Sequence, residues 1–225
     1  MIRPLFLLAD SQVLFWKDGN RLFTERIREQ LDASNPAAAY LGASNGDNPE
    51  FYALFQAAME LIDVQSCRMV PSSPSNEDKK FLASADLVLL AGGDVELGWK
   101  SFQQTGIEEM LVQRRYEGAV LVGVSAGAVQ LGLGTLLETS TMRKLSTFQF
   151  APFYVDAHAE ESEWWNLKAL VNLAGEGARG IGIPAGGALI YSPDGTLEPI
   201  RKTLTEFFRQ GDRMSEQLLL PETGS

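Results

Sequence analysis

The sequence predicts an α/β fold: a doubly wound, mostly parallel sheet with helices on both faces. Two observations carry that prediction. Short apolar runs alternate with amphipathic ones through the first half, the rhythm of βα units. Two of those runs, Asp86–Leu90 (apolar from Leu87) and Ala119–Val122, end in glycine-rich turns, as strands buried on both faces do. The chain has 225 residues, 45% hydrophobic and 21% charged. That suffices for a large core in one domain, expected over residues 1–219.

Taken in order, Leu5–Ala9 reads as the first strand and Asn20–Leu31 as a helix, with Leu22, Phe23, Ile27 and Leu31 near helical spacing. Ala37–Leu41 is the second strand. Asn48-Pro49 opens a helix running through Phe51, Leu54, Phe55, Met59 and Ile62, with proline in its first turn. Cys67–Val70 is a third strand, and Pro71–Asn76 is a polar loop. After the Asp86–Leu90 strand come Ala91-Gly92-Gly93-Asp94, a helix over Val95–Gln103, and a second helix ending near Tyr116. Later, Thr147–Phe150 and Phe153–Asp156 read as short strands, Ser162–Leu173 as a helix, and Gly180–Ile183 and Ala188–Tyr191 as strands. Pro193-Asp194-Gly195 is a turn.

Composition narrows the function classes. The net charge of −10 repels phosphate backbones, which argues against nucleic acid, although solubility alone also explains it. The single cysteine, Cys67, allows no internal disulfide and reads as a buried structural thiol. The single histidine, His158, leaves no multi-histidine metal site, so neither metal nor organic cofactor is expected. No signal peptide or membrane-spanning stretch is apparent, and cytoplasm is the default location. Residues 220–225, Leu-Pro-Glu-Thr-Gly-Ser, resemble a sortase recognition motif and read as a tag or tail outside the fold. An exposed sheet edge or helix pair would allow a homodimer, but no segment announces one.

Gly123-Val124-Ser125-Ala126-Gly127 fits the G-x-S-x-G nucleophile elbow. Such a turn strains the serine backbone, so small residues must flank it, and the following helix aims free N–H groups at developing negative charge. The plain alternative is a tight strand-to-helix packing turn. Gly92 and Gly93 lie at the C-terminal end of the other strong strand, where ligands sit in doubly wound sheets. Glycines there let backbone amides approach a substrate carbonyl; Asp94 can equally serve as a helix N-cap. If Ser125 is a nucleophile it needs a base, and His158 is the leading candidate.

Together these features resemble the dipeptidase E and cyanophycinase family of serine peptidases, relatives of class I glutamine amidotransferases. The resemblance rests on Leu90–Asp94, Gly123–Ala128, Val155-Asp156-Ala157-His158 and Gly180–Ile183, in that order. It implies that Ser125 attacks an amide carbonyl, that His158 relays its proton, and that the amides of Gly93 and Ala126 hold the oxyanion, with Gly92 and Asp94 beside the substrate. Two departures stand out. Where the family pattern calls for an acid that orients the histidine, this chain has Ala185; Asp156, Glu160 and Glu161 are the candidate substitutes. After the histidine, where aspartate-cleaving relatives carry arginines, stand Glu160, Glu161, Glu163, Trp164 and Trp165. Glu161 and Trp164 would there suit a cation or free amine; alternatively the acids are first-turn helix residues and the indoles pack beneath.

The expected activity is therefore a serine peptidase or amidase acting on a small peptide or peptide-like amide through an acyl-enzyme, not aspartate-specific. Two alternatives stay open. One is a weakened relative that binds peptides or assists a biosynthetic partner. The other is an acyl or aminoacyl transferase.

Overall fold

The computed structural model describes residues 1–137 and 142–222; the last three residues of the expected tail lie outside them. In chain order the elements are β1 (Leu5–Leu8), β2 (Lys17–Asp18), β3 (Arg21–Leu22), α1 (Phe23–Arg28), β4 (Ala37–Leu41), α2 (Pro49–Glu60), β5 (Ser66–Val70), α3 (Asn76–Ser84), β6 (Leu87–Leu90), α4 (Val95–Thr105) and α5 (Ile107–Glu117). They continue with β7 (Val120–Val124), α6 (Ala126–Leu131), β8 (Gly134–Leu137), β9 (Arg143–Ser146), β10 (Tyr154–Ala157), α7 (Trp165–Ala174), β11 (Arg179–Ile183), β12 (Ala188–Tyr191), β13 (Leu197–Ile200), β14 (Leu204–Gln210) and β15 (Arg213–Leu219).

The main sheet has the order β13-β12-β1-β7-β6-β4-β5. Its five strands from β1 to β5 run parallel, and β12 and β13 are added antiparallel at one edge. Alternation along β1 sends Phe6 and Leu8 to one face and Leu5 and Leu7 to the other. The first face is covered by α1 and α2 through Phe23, Ile27, Phe55 and Met59. The second is covered through Leu82, Trp99, Phe102, Leu111 and Leu131, from α3 to α6. This is the mixed α/β architecture, mostly parallel in its central sheet, that the apolar rhythm predicts.

The chain leaves β4 toward the outer strand β5 but leaves β6 toward β7. Neighbouring strands thus feed helices on opposite faces, and a crevice opens at their C-terminal ends. That topological switch point is where open α/β sheets bind ligands.

A second sheet, β10-β11-β14-β15, was not foreseen. One of its faces contributes Val155, Ala157, Ile181 and Ile183 to the main core, and the other packs Tyr154 and Phe207 beneath α7. Its members β10 and β11 answer to the strands expected at Phe153–Asp156 and Gly180–Ile183, whereas β14 and β15 went unread; β15 buries no residue fully.

Local differences have identifiable causes. The expected Asn20–Leu31 helix shrinks to α1, because Gly19, at φ 58°, turns a short β2–β3 hairpin ahead of it. The polar loop after β5 gives way at Ser75 to α3, whose first turn is closed by a reciprocal Ser75–Asp78 capping box. Thr147–Phe150 joins no sheet; its amides instead reach carbonyls of the α6 region, as from Phe148 to Gln130 and from Phe150 to Leu131. The expected Ser162 helix begins only at Trp165. Cys67 is half-buried on the edge strand β5, not fully enclosed. Burial first, then the charge of Glu60, pushes its thiol up to about 11. It is thus protonated and unreactive at neutral pH.

Candidate active site

Ser125 joins β7 to α6 at φ 49° and ψ −110°. This lies outside the regions L-residues favour, and such conformations cost on the order of 1–3 kcal/mol unless the surroundings enforce them. Here they do. The Ser125 amide donates to Leu8 O at 2.8 Å, and Ser125 O accepts from Val129 N at 3.1 Å. A Cβ at Gly123 would stand 2.5 Å from Gly127 O, and one at Gly127 would stand 2.2 Å from Leu90 O. Only glycine at both positions lets α6 fold back against β7 and β6 this closely.

His158 follows β10. Its amide donates to Ile183 O at 2.9 Å, and its φ of 47° turns the ring off the strand. Nε2 then lies 2.7 Å from Ser125 Oγ. In the tautomer that carries its proton on Nδ1, Nε2 accepts from the Ser125 hydroxyl at this distance. Serine from the main sheet and histidine from the second sheet therefore meet across their C-terminal edges.

Gly93 adopts φ 129°, and a Cβ there would stand 2.1 Å from Ser44 O. Gly92 is pressed against Ser125, with the two Cβ positions 3.3 Å apart. Neither the Gly93 nor the Ala126 amide donates to an acceptor among the described residues. Asp94 takes the N-cap role: its carboxylate accepts from Leu97 N at 2.9 Å, and it does not line the cleft.

After His158 the acids differ from both expectations, while Trp164 packs inward as the second expected. Glu160–Ser162 forms a separate 3₁₀ turn, so these acids do not sit in the first turn of α7. Trp164 does not face the cleft as a substrate contact would. It is buried at the α7 N-cap, with its indole in the space that a side chain at Gly182 would fill. Glu161 is exposed and also lies outside the cleft lining.

The Ala185 position resolves into backbone chemistry. Ala185 N donates to Glu160 Oε1 at 3.0 Å and Gly186 N donates to Asp10 Oδ2 at 2.6 Å. Two carboxylates thus hold the turn after β11. Among the described residues no carboxylate hydrogen-bonds the far ring nitrogen of His158. Asp156, two residues upstream, is pushed up to about 6 by burial; the Ala157 amide it accepts from and the neighbouring imidazole both pull the other way.

The cleft itself has a volume of about 240 Å³ and reaches from Ser125 and His158 between the sheet and α2. Sequence reasoning missed the groups that frame it. Asp10 caps the turn after β1 by accepting from Gln12 N, and Asn45 donates to Tyr40 Oη at 2.9 Å. Buried Gln130 donates to Ser44 Oγ and Val95 O, pinning α6 to the loop against which Gly93 rests. The Asp10-Ser11 pair after the first strand carries a capping signal; Gln130, within an apolar helix, is legible only as a buried polar group needing partners.

Comparison with known proteins places this geometry. A curated relative from Bacillus subtilis (strain 168), "Uncharacterized peptidase YgaJ", is 24% identical over 111 residues, 49% of this chain and 48% of its own length. The chain thus matches about half the length of that relative. The crystal structure of a peptidase from an acI-B1 Actinobacterium superposes with a TM-score of 0.76 at 17% identity, covering 99% of this chain and 96% of that one. A putative peptidase E protein from Listeria monocytogenes EGD-e superposes at 0.66 with 13% identity, over 90% and 100% of the two chains. At such identities these two structures speak for the fold alone. The profile of peptidase family S51 matches residues 5–198, a span that takes in the strained serine turn and the imidazole together, and the chain belongs to that family.

Proposed function

We propose that this protein is a serine peptidase that cleaves a small peptide or peptide-like amide through an acyl-enzyme. The observation that carries the reading is the 2.7 Å approach of His158 Nε2 to Ser125 Oγ on a strained, glycine-flanked turn. Ser125 Oγ bonds to the substrate carbonyl carbon while its proton passes to Nε2. The oxygen of the tetrahedral adduct is held by the unsatisfied amides of Gly93 and Ala126, at the start of α6. The C–N bond then breaks, and His158 returns the proton to the departing amine. Water adds to the ester by the reverse sequence, releasing a carboxylate and regenerating Ser125.

Aspartate specificity is not part of this reading. Among the described residues no lysine or arginine lines the cleft, and Asp10 does, so a substrate carboxylate would meet repulsion there. Among the described residues no acid is hydrogen-bonded to His158, which points to catalysis by a serine–histidine pair, slower than a full triad. The same observation favours a second reading, a weakened relative that retains substrate binding.

A small fluorophosphonate probe separates the two. The peptidase reading expects covalent labelling at Ser125 that is lost in Ser125→Ala and falls at least about a hundredfold in His158→Gln. No labelling of the intact protein would leave only the binder, and labelling independent of His158 would remove the imidazole from the chemistry.

A further inference from the structure

We infer that the cleft selects a neutral, apolar side chain, up to aromatic size, on the residue whose carbonyl Ser125 attacks. This rests on the peptidase reading and names its substrate class. The wall of the cleft beyond Ser125 is formed by Leu14, Tyr40, Phe51, Leu54, Phe55 and Leu89. Three of these belong to α2, and two are conspicuous. Phe51 and Leu54 are 47% and 41% exposed, although they stand on the same helix that buries Phe55 completely. Apolar side chains left open at the rim of a cleft with a nucleophile at its end are covered when a ligand enters.

The charges argue the same way. Asp10 and His158 are the ionisable groups at the Ser125 end. Each Asp10 oxygen already accepts a backbone amide, from Gln12 and from Gly186, so this carboxylate is engaged in holding the turns after β1 and β11. Tyr40 Oη accepts from Asn45, and burial raises its pKa, which keeps it neutral. Among the described lining residues an anionic side chain would find no lysine or arginine, and a cationic one only a carboxylate that two amides already engage.

Size and position complete the case. About 240 Å³ falls below the roughly 300–1,000 Å³ typical of sites for drug-sized ligands. It suits one large side chain rather than an extended peptide. Gly92, which packs against Ser125, and Gly93 line the same cleft as the apolar wall. The substituent on the attacked carbonyl carbon is the part of the substrate that lies beside both the nucleophile and the oxyanion amides.

Two measurements test this. In the first, N-acetylated diphenyl phosphonate analogues of phenylalanine, leucine, aspartate and lysine are compared by their rate of covalent attachment to Ser125. The phenylalanine and leucine analogues should react at least about thirtyfold faster than the other two, and Leu54→Arg should narrow the phenylalanine-to-aspartate ratio at least tenfold. Equal rates, or a lead for aspartate or lysine, while a small fluorophosphonate still labels Ser125, would overturn the specificity and leave the peptidase reading standing. In the second, Ser125→Ala is titrated with N-acetylphenylalanine amide and with N-acetylaspartic acid α-amide, followed by NMR shifts of α2 amides. Shifts with the first alone support the cleft assignment even if no probe labels Ser125, which would sink the nucleophile instead. Shifts with the aspartate compound alone, or with neither, refute the assignment.

Discussion

The two halves of the site are built on different principles. On the main sheet, Ser125 is enforced from within: Gly123 and Gly127 leave no room for a Cβ, and the Ser125 amide is locked to Leu8 O. On the second sheet, His158 is exposed and held by one backbone bond to Ile183 O. The nucleophile side is part of the core, so damaging it should damage the fold. The imidazole side is an attachment to the surface, so damaging it should damage chemistry alone. The sharpest test is therefore a pair of substitutions whose effects on activity and stability are dissociated.

His158→Gln should give the largest effect. Turnover is expected to fall at least about 10⁴-fold, equivalent to some 5.5 kcal/mol of transition-state stabilisation. The melting temperature should stay within about 2 °C, because the ring is exposed and contributes no core packing. Gly127→Ala should do the converse. Its Cβ would meet a backbone oxygen rather than a yielding side chain, so α6 must shift. A loss of about 2–4 kcal/mol is expected, lowering the melting temperature by about 5–12 °C. Labelling of Ser125 should fall with it. A Gly127→Ala protein as stable and reactive as the parent would mean that the elbow is not under the constraint its geometry implies.

The same contrast decides what the sequence made legible. The elbow could be read because its requirements are local: a run of apolar residues, small residues around one serine, and a helix start. His158 could be singled out only because it is the sole imidazole and because of the motif order; nothing nearby in sequence says that its ring reaches Ser125. That contact depends on β10 and β11 pairing in parallel within a sheet whose other members, β14 and β15, come from the far end of the chain. The Trp164 misreading has the same origin. Two adjacent indoles look alike in sequence, and only Gly182, on a neighbouring strand, decides that Trp164 goes inward while Trp165 stays 52% exposed. The cleft walls were readable as core positions of α2. That Phe51 and Leu54 are left uncovered follows from the switch point between β4 and β6, which is a property of topology.

Asp156 offers an intermediate test, because it lies on the imidazole side yet is partly buried. Its folded pKa of about 6 lies above the 3.8 of a free aspartate. The folded state therefore holds a proton that the unfolded state releases between about pH 4 and 6. Stability associated with the protonated group is complete below pH 4 and is lost as pH rises through 6. Two units correspond to about 3 kcal/mol, and partial solvent access reduces this to about 2. Asp156→Asn removes the titration while keeping the oxygen that accepts Ala157 N. Urea denaturation should find the variant more stable by about 2 kcal/mol at pH 8 and equal to the parent at pH 4. A constant difference across that range would show that Asp156 is not held in this state.

Glu160 should give the smallest effect, and its size discriminates sharply between two roles. Its Oε1 accepts the Ala185 amide, and both residues are exposed. A hydrogen bond of this kind contributes about 0.5–1.5 kcal/mol, toward the lower end when solvent can replace it. Glu160→Ala should thus lower the melting temperature by no more than about 3 °C and reduce kcat/KM only a few-fold, through a looser turn beside His158. The shape of the pH–rate profile should be unchanged, and Glu160→Gln, which keeps the acceptor, should restore the parent rate. A carboxylate that oriented the imidazole would behave otherwise: its loss costs on the order of 10⁴ in rate, and glutamine does not replace it. A thousandfold fall in kcat with an altered pH profile, unrescued by glutamine, would make Glu160 the missing acid. The imidazole side would then be as tightly specified as the elbow, and the contrast between the two halves of the site would disappear.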